Sequence, residues 1–98
     1  MSEPGRYVIC YDVANNRRRR RLADKLDDFA SRVQGSVFEA VLDRALLDKC
    51  IRDIGKVLHP GEDRLSIYPL CGACERRRID LGLAARVAPP GPARVVIV

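Results

Sequence analysis

No run of this sequence approaches the roughly 18 consecutive apolar residues that a membrane-spanning helix requires, and Met1 to Arg6 holds no apolar core of the kind found in a secretory leader. The expectation is a soluble, cytoplasmic protein. Internal repeats and low-complexity tracts are also missing, and with 47% hydrophobic and 32% charged residues the composition is that of a folded chain, not a disordered tail. Histidine is reduced to a single residue, His59, which stands before Pro60 where a helix is expected to end, so there is no convincing imidazole general base. Cysteine is sparse as well: Cys10, Cys50, Cys71 and Cys74. In a reducing compartment these four are free thiols and not a disulfide framework. At 98 residues the chain is too short for two cores, and a single domain that gains from oligomerising is the expectation.

What the sequence does hold is positive charge. A formal net charge of +5 and a pI near 9.4 point to a polyanionic partner, because clustered arginine and lysine release counterions from a phosphate backbone. Charge alone is weak support, and its placement has to decide.

Tyr7 to Val13 is β-branched and aromatic and reads as a strand. Ala14, Asn15 and Asn16 then offer turn and N-cap chemistry before apolar residues at helical spacing, Leu22, Ala23, Leu26, Phe29 and Ala30, which predict a helix from about Arg17 to Ser31. Arg32 to Leu42 favours two short strands broken by a turn or bulge at Gly35 and Ser36. Asp43 can cap a second helix with the stripe Leu46, Leu47, Cys50, Ile51, Ile54, Val57 and Leu58, stopped by Pro60 and Gly61. Arg64 to Leu70 reads as a further strand, with Pro69 near its end. The order βαββαβ is that of an α+β ferredoxin-like sandwich, an antiparallel sheet with both helices on one face. Arg76 to Leu83 is ambiguous between strand and irregular structure. Arg94 to Val98 reads as an additional C-terminal strand, held off by the arm Pro89, Pro90, Gly91, Pro92 and in need of an edge, which a second copy could supply by exchange in a dimer. The organisation is thus a nucleic-acid-binding domain over residues 1–83, with an arm and terminal strand of the same domain over 84–98.

Asp12 ends the first strand, just before five consecutive arginines, Arg17 to Arg21. Cations in the first turn of a helix oppose its macrodipole, whereas a phosphate bound there is favoured by dipole, amides and guanidinium forks together. Five consecutive residues point all round a helix, so some of these arginines are only solvated. Asp12 can equally be a turn or cap residue. Cys71 and Cys74 form a lone CxxC, open between ordinary thiols, half of a zinc site shared across a dimer, and a redox pair. Cys10 and Cys50 read as small core residues. Tyr7, Tyr11 and Tyr68 read as sheet packing more than base-stacking platforms.

Tyr11 to Val13 (YDV), the arginines at 17–21, Arg32 to Glu39 (RVQGSVFE) and Ile67 to Cys71 (IYPLC) resemble, in order and spacing over roughly residues 6–83, the small CRISPR-associated family called Cas-two. The resemblance implies a homodimer of ferredoxin-like protomers that partners the CRISPR integrase subunit in spacer acquisition, with metal-dependent nuclease activity in some members. It carries the family's metal-binding, catalytic aspartate onto Asp12, and its nucleic-acid contacts onto Arg17, Arg18, Arg19 and Arg21 with Ser36 and Phe38 ahead of Glu39. Gly35 departs from the larger polar residue often found there. One carboxylate is a poor site for Mg²⁺ (or Mn²⁺), and two Asp12 side chains across a two-fold axis would be a credible one.

Three functions remain open at this point. The first is a dimeric, metal-dependent endonuclease on RNA or DNA that relies on its ion in place of a general base. The second is a non-catalytic dimeric scaffold that grips double-stranded DNA between integrase subunits; for the protein as a whole the expected nucleic-acid partner is double-stranded DNA, single-stranded RNA or both. The third is a ferredoxin-like regulatory domain unrelated to nucleic acid.

Overall fold

A computed structural model describes residues 4–77, 79–81 and 94–96. Its elements are β1 (Gly5–Asp12), α1 (Asn16–Asp27), β2 (Ser31–Gln34), β3 (Val37–Leu42), α2 (Arg44–Gly55), β4 (Arg64–Leu70), α3 (Gly72–Arg77), β5 (Ile79–Leu81) and β6 (Arg94–Val96). The first four strands form one antiparallel sheet in the order β2-β3-β1-β4. With α1 and α2 packed against it, this is the ferredoxin-like α+β sandwich that the residue pattern predicts.

Alternation along β1 decides which face becomes the core. Ile9 and Tyr11 point to the helices and are buried with Phe38, Ala40 and Leu42 of β3, while α1 contributes Leu22, Ala23 and Leu26, and α2 contributes Cys50 and Ile54. Gly35 and Ser36 make the predicted turn, and a register shift against β3 lies just before it, between Arg32 and Gln34.

Both helix starts use the predicted caps. The Asn15 side chain accepts the Arg18 amide at 3.0 Å, and that of Asp43 accepts the Leu46 amide at 2.8 Å. The ends differ from expectation. α1 stops at Asp27, and Phe29 and Ala30 fold back by donating their amides to the Leu26 carbonyl at 3.0 and 2.8 Å. Two carboxylates, Asp27 and Asp28, at a helix C-terminus oppose the macrodipole and favour that early stop. α2 likewise ends at Gly55, and Val57 is buried from the following turn. Leu46 and Ile51 are exposed, because they lie at opposite borders of a stripe roughly 140° wide and only its centre meets the sheet.

Two features depart from the sequence reading. Gly72–Arg77 forms a short helix, α3, whose last two residues fall in the stretch Arg76 to Leu83 read as strand or irregular, and β5 lies further along that stretch. β6 pairs in parallel with β5 of its own chain, Ile79 opposite Arg94. Within one chain the edge that the terminal strand meets is β5, and exchange with a second copy is not shown. The arm Pro89, Pro90, Gly91, Pro92 lies outside the described residues. Among the described residues no helix is long and apolar enough to cross a membrane.

The sheet face away from the helices carries Arg6, Val8, Cys10 and Asp12 from β1. Register places Val41, Glu39 and Val37 of β3 and Leu70, Tyr68, Ser66 and Arg64 of β4 beside them. Val41 is 52% exposed and Tyr68 56%, so Tyr68 is not packed inside the sandwich as expected, whereas Tyr11 is.

Candidate nucleic-acid interface

Asp12 is exposed at the end of β1, on the open sheet face, and its register partner on β4 is Arg64. Among the described residues no group of three or more His, Cys, Asp or Glu is placed so that it could hold a metal ion. Asp63 and Glu62, just before Arg64, are engaged by Arg18, so on this face one chain offers the Asp12 carboxylate beside the Arg64 position, which is not by itself a Mg²⁺ site. A second copy presenting the same face would add the second carboxylate.

The arginine run divides by geometry. Arg18 gives its fork to acids: Nε donates to Asp63 Oδ2 at 2.8 Å, and Nη2 to Asp63 Oδ1 at 3.1 Å and Glu62 Oε2 at 2.9 Å. Arg19 donates from Nε and Nη2 to the Val13 carbonyl at 3.2 and 3.0 Å and from Nη1 to Asn16 Oδ1 at 2.6 Å. Arg19 thus holds the strand-to-helix connection in place and Arg18 ties α1 to the segment just before β4, so the part expected of them as phosphate contacts is already occupied by acceptors of their own chain. Arg17, Arg20 and Arg21 are exposed on the turn that follows the cap, and with Asn16 and Asp24 they line a shallow groove of about 380 Å³. Arg20 also reaches a pocket of about 240 Å³ lined with Tyr11, Arg19, Arg32 and Gly35.

Arg20 is absent from the sequence-based set, although the i, i+3, i+4 spacing of 17, 20, 21 and 24 could have grouped it. Arg32 and Arg64 are missing from it too, and only strand register brings them here. Ser36 is exposed in the β2–β3 turn and its carbonyl accepts the Tyr11 amide at 3.1 Å. Phe38 requires correction. Its side chain is completely buried, its ring centroid lies 6.1 Å from that of Tyr11, and Arg32 covers it at 5.2 Å, so it cannot touch a nucleic acid. His59 sits in the loop after α2, donating its amide to Asp63 Oδ2 at 2.8 Å and accepting the Gly61 amide on Nδ1 at 3.2 Å.

Asp63 ties this region together. Its side chain has no exposed surface. The Arg18 guanidinium foremost, then the His59 and Ala14 amides, hold its carboxyl at about 2, below the ordinary 3.8. A depressed carboxyl contributes stability that is complete above its unfolded value and is lost as pH falls through the folded one. Urea midpoints of the parent should therefore drop between about pH 4 and pH 2, whereas Asp63→Asn should start lower and lose less over that interval. Equal acid slopes in the two proteins would contradict the clamp.

The comparisons with known proteins agree with this geometry. Residues 5–78 match the family model of CRISPR associated protein Cas2. A Rhodospirillum rubrum protein named CRISPR-associated endoribonuclease Cas2 4 is 47% identical over 79% of this chain and 62% of its own length, so the chain spans less than two thirds of that relative. A Thermus thermophilus protein named CRISPR-associated endonuclease Cas2 2 is 42% identical over 70% of this chain and 77% of its own. Among solved structures, Streptococcus pyogenes Cas2 superposes with a TM-score of 0.69 at 28% identity, covering 79% of this chain and 99% of that one. A structure titled as a partial Cas6-RT-Cas1–Cas2 complex contains a chain with a TM-score of 0.63 at 26% identity, covering 74% of this chain and 79% of that one. With its sheet order, basic helix start and strand-end aspartate following one another along residues 5–78, the chain belongs to the Cas2 family of CRISPR-associated proteins.

Proposed function

We propose that this protein acts in CRISPR spacer acquisition as a homodimer that grips nucleic acid through its α1 arginines and hydrolyses phosphodiester bonds with a divalent ion held between two Asp12 carboxylates. The observation that carries the reading is the division of the arginine run: Arg18 and Arg19 are engaged by acceptors of their own chain, while Arg17, Arg20 and Arg21 are left facing solvent without a carboxylate partner among the described residues. Guanidinium forks so placed bind phosphate oxygens without reading bases. The open sheet face, with Val41 and Tyr68 exposed, supports a symmetric partner there. When bound, Mg²⁺ or Mn²⁺ would polarise a phosphate oxygen and favour an in-line attack by water. Asp12 would hold the ion, and the arginines would hold the backbone and neutralise charge that develops on phosphorus oxygens. The Cas1–Cas2 assembly named for the structural relative supports an integrase subunit as partner.

A second reading, a DNA-binding scaffold without catalysis, is favoured by one observation: Arg64 is the cross-strand neighbour of Asp12, and an ion pair between protomers would use the same residues without any metal. One experiment separates the two. The purified chain is incubated with labelled duplex DNA and single-stranded RNA in Mg²⁺, Mn²⁺ or chelator. Cleavage that appears only with the ion, over binding that survives chelation, is the expected result. Binding without cleavage under any ion leaves the scaffold. Replacing Arg17, Arg20 and Arg21 by alanine should weaken binding to all sequences alike and flatten the logarithmic salt dependence by about 0.9 for each phosphate no longer neutralised. A weakening confined to one sequence would mean that these residues read bases.

A further inference from the structure

Cys71 and Cys74 take no part in the surface described above, and their surroundings differ from those of the other two thiols. Cys50 is completely buried in the core, Cys10 lies half-buried on the sheet face away from the helices and not in the core as expected, and Cys71 and Cys74 are both exposed, with no side chain of α3 buried. The two Sγ atoms lie 3.3 Å apart, in hydrogen-bonding contact. Their meeting is not that of a frayed segment. Glu75, adjacent to Cys74, pairs with the buried Arg6 of β1, and the Glu75 amide donates to the Cys71 carbonyl at 3.0 Å, so the turn is anchored to the central sheet. A closed zinc site needs four ligands, and among the described residues no third His, Cys, Asp or Glu joins this pair.

We propose that Cys71 and Cys74 form a redox-active dithiol that exchanges with low-molecular-weight disulfides and closes to an intramolecular disulfide. The two positions have different roles. The Cys74 amide foremost, then its thiol, the Ala73 amide and the charge of Arg76, stabilise the Cys71 thiolate and lower its pKa, while the bond shared with Cys71 raises that of Cys74. Cys71 is the attacking sulfur. Its thiolate displaces one half of a small disulfide as a thiolate that takes up a proton, leaving a mixed disulfide on Cys71. The Cys74 sulfur, giving up its proton, then attacks the Cys71 sulfur and expels the second half. Two protein thiols are oxidised, one small disulfide is reduced to two thiols, and no further reactant is needed. The product staples the first turn of α3, the turn that holds Glu75 against Arg6.

The test uses the folded, full chain with oxidised glutathione, quenched by an alkylating reagent and read by intact and peptide mass. The parent should lose two hydrogens and yield a Cys71–Cys74 linked peptide, with the fully buried Cys50 alkylated only after unfolding and Cys10 recovered as a separate alkylated thiol. Cys74→Ser should accumulate a single glutathione adduct on Cys71, and Cys71→Ser should react about tenfold more slowly or less. Since both positions are exposed, thermal midpoints of the two variants serve as the check that they remain folded. Adducts formed at equal rates in both variants, a disulfide between chains, or thiols that become reactive only after zinc is chelated away would each overturn the proposal.

Discussion

Asp12→Ala should lower ion-stimulated phosphodiester cleavage by about a hundredfold or more, since single losses in charge-stabilising or metal-supporting sites already cost of that order, while duplex affinity changes by less than about twofold. The disparity follows from where the residue sits. Asp12 is exposed at a strand end and contributes nothing to the buried cluster, so its removal leaves the sandwich intact. In a symmetric dimer one substitution deletes both carboxylates, and nothing else among the described residues gathers to replace them. Duplex affinity, by contrast, rests on cations, and removing an acid from a phosphate-binding surface if anything reduces repulsion. Asp12→Asn refines the measurement: it preserves size and hydrogen-bonding capacity but not charge, and should be as inactive as alanine if the carboxylate holds an ion. Activity retained in Asp12→Asn would place the residue as a turn or positioning group and remove it from any metal site. A parallel titration with Mn²⁺ in place of Mg²⁺ checks that the loss is not merely a shift in ion preference.

The framework is legible in the sequence because its signals are local. Asn15 and Asp43 cap through their own side chains to amides three residues on, and the alternation of β1 and the stripes of α1 and α2 each lie within a dozen residues. α3 is not legible, for the opposite reason. A six-residue helix that buries nothing has no apolar period to announce it, and what fixes it is Glu75 reaching Arg6 at a sequence separation of 69. The same limit governs the site. Asp12 and the arginine run stand out in sequence, but which arginines are free depends on Asp63, 45 residues from Arg18, and on a carbonyl at the turn, Val13. Helical spacing sets Arg18 and Arg19 beside the buried Leu22 and Ala23, but the acceptors that engage them lie elsewhere in the chain, so sequence still includes them and passes over Arg20. Phe38 joins the interface in sequence only because of where it falls in a motif. Its alternation with Glu39 puts it on the helix-facing side of β3.

Phe38→Ala should therefore destabilise the fold by about 3–5 kcal/mol, the usual cost of removing a fully buried aromatic ring, and do little else. Against a total stability of about 5–15 kcal/mol for a chain of this size, that is between a fifth and all of it. The ring is completely enclosed, lies 6.1 Å centroid to centroid from Tyr11, and carries the Arg32 guanidinium 5.2 Å above it. Its loss leaves a cavity beneath the β2–β3 turn, where the Tyr11 hydroxyl donates to the Gly35 carbonyl at 3.3 Å. Phe38→Leu keeps most of the apolar volume and should cost about half as much. Urea unfolding of both variants, with duplex affinity measured at low temperature and normalised to the folded fraction, distinguishes a packing residue from a binding one. A core phenylalanine lowers the unfolding midpoint in the order alanine, leucine, parent, and leaves affinity per folded molecule unchanged. The converse, an intact midpoint with weakened binding, would require the ring to reach the surface, against its burial between sheet and helices.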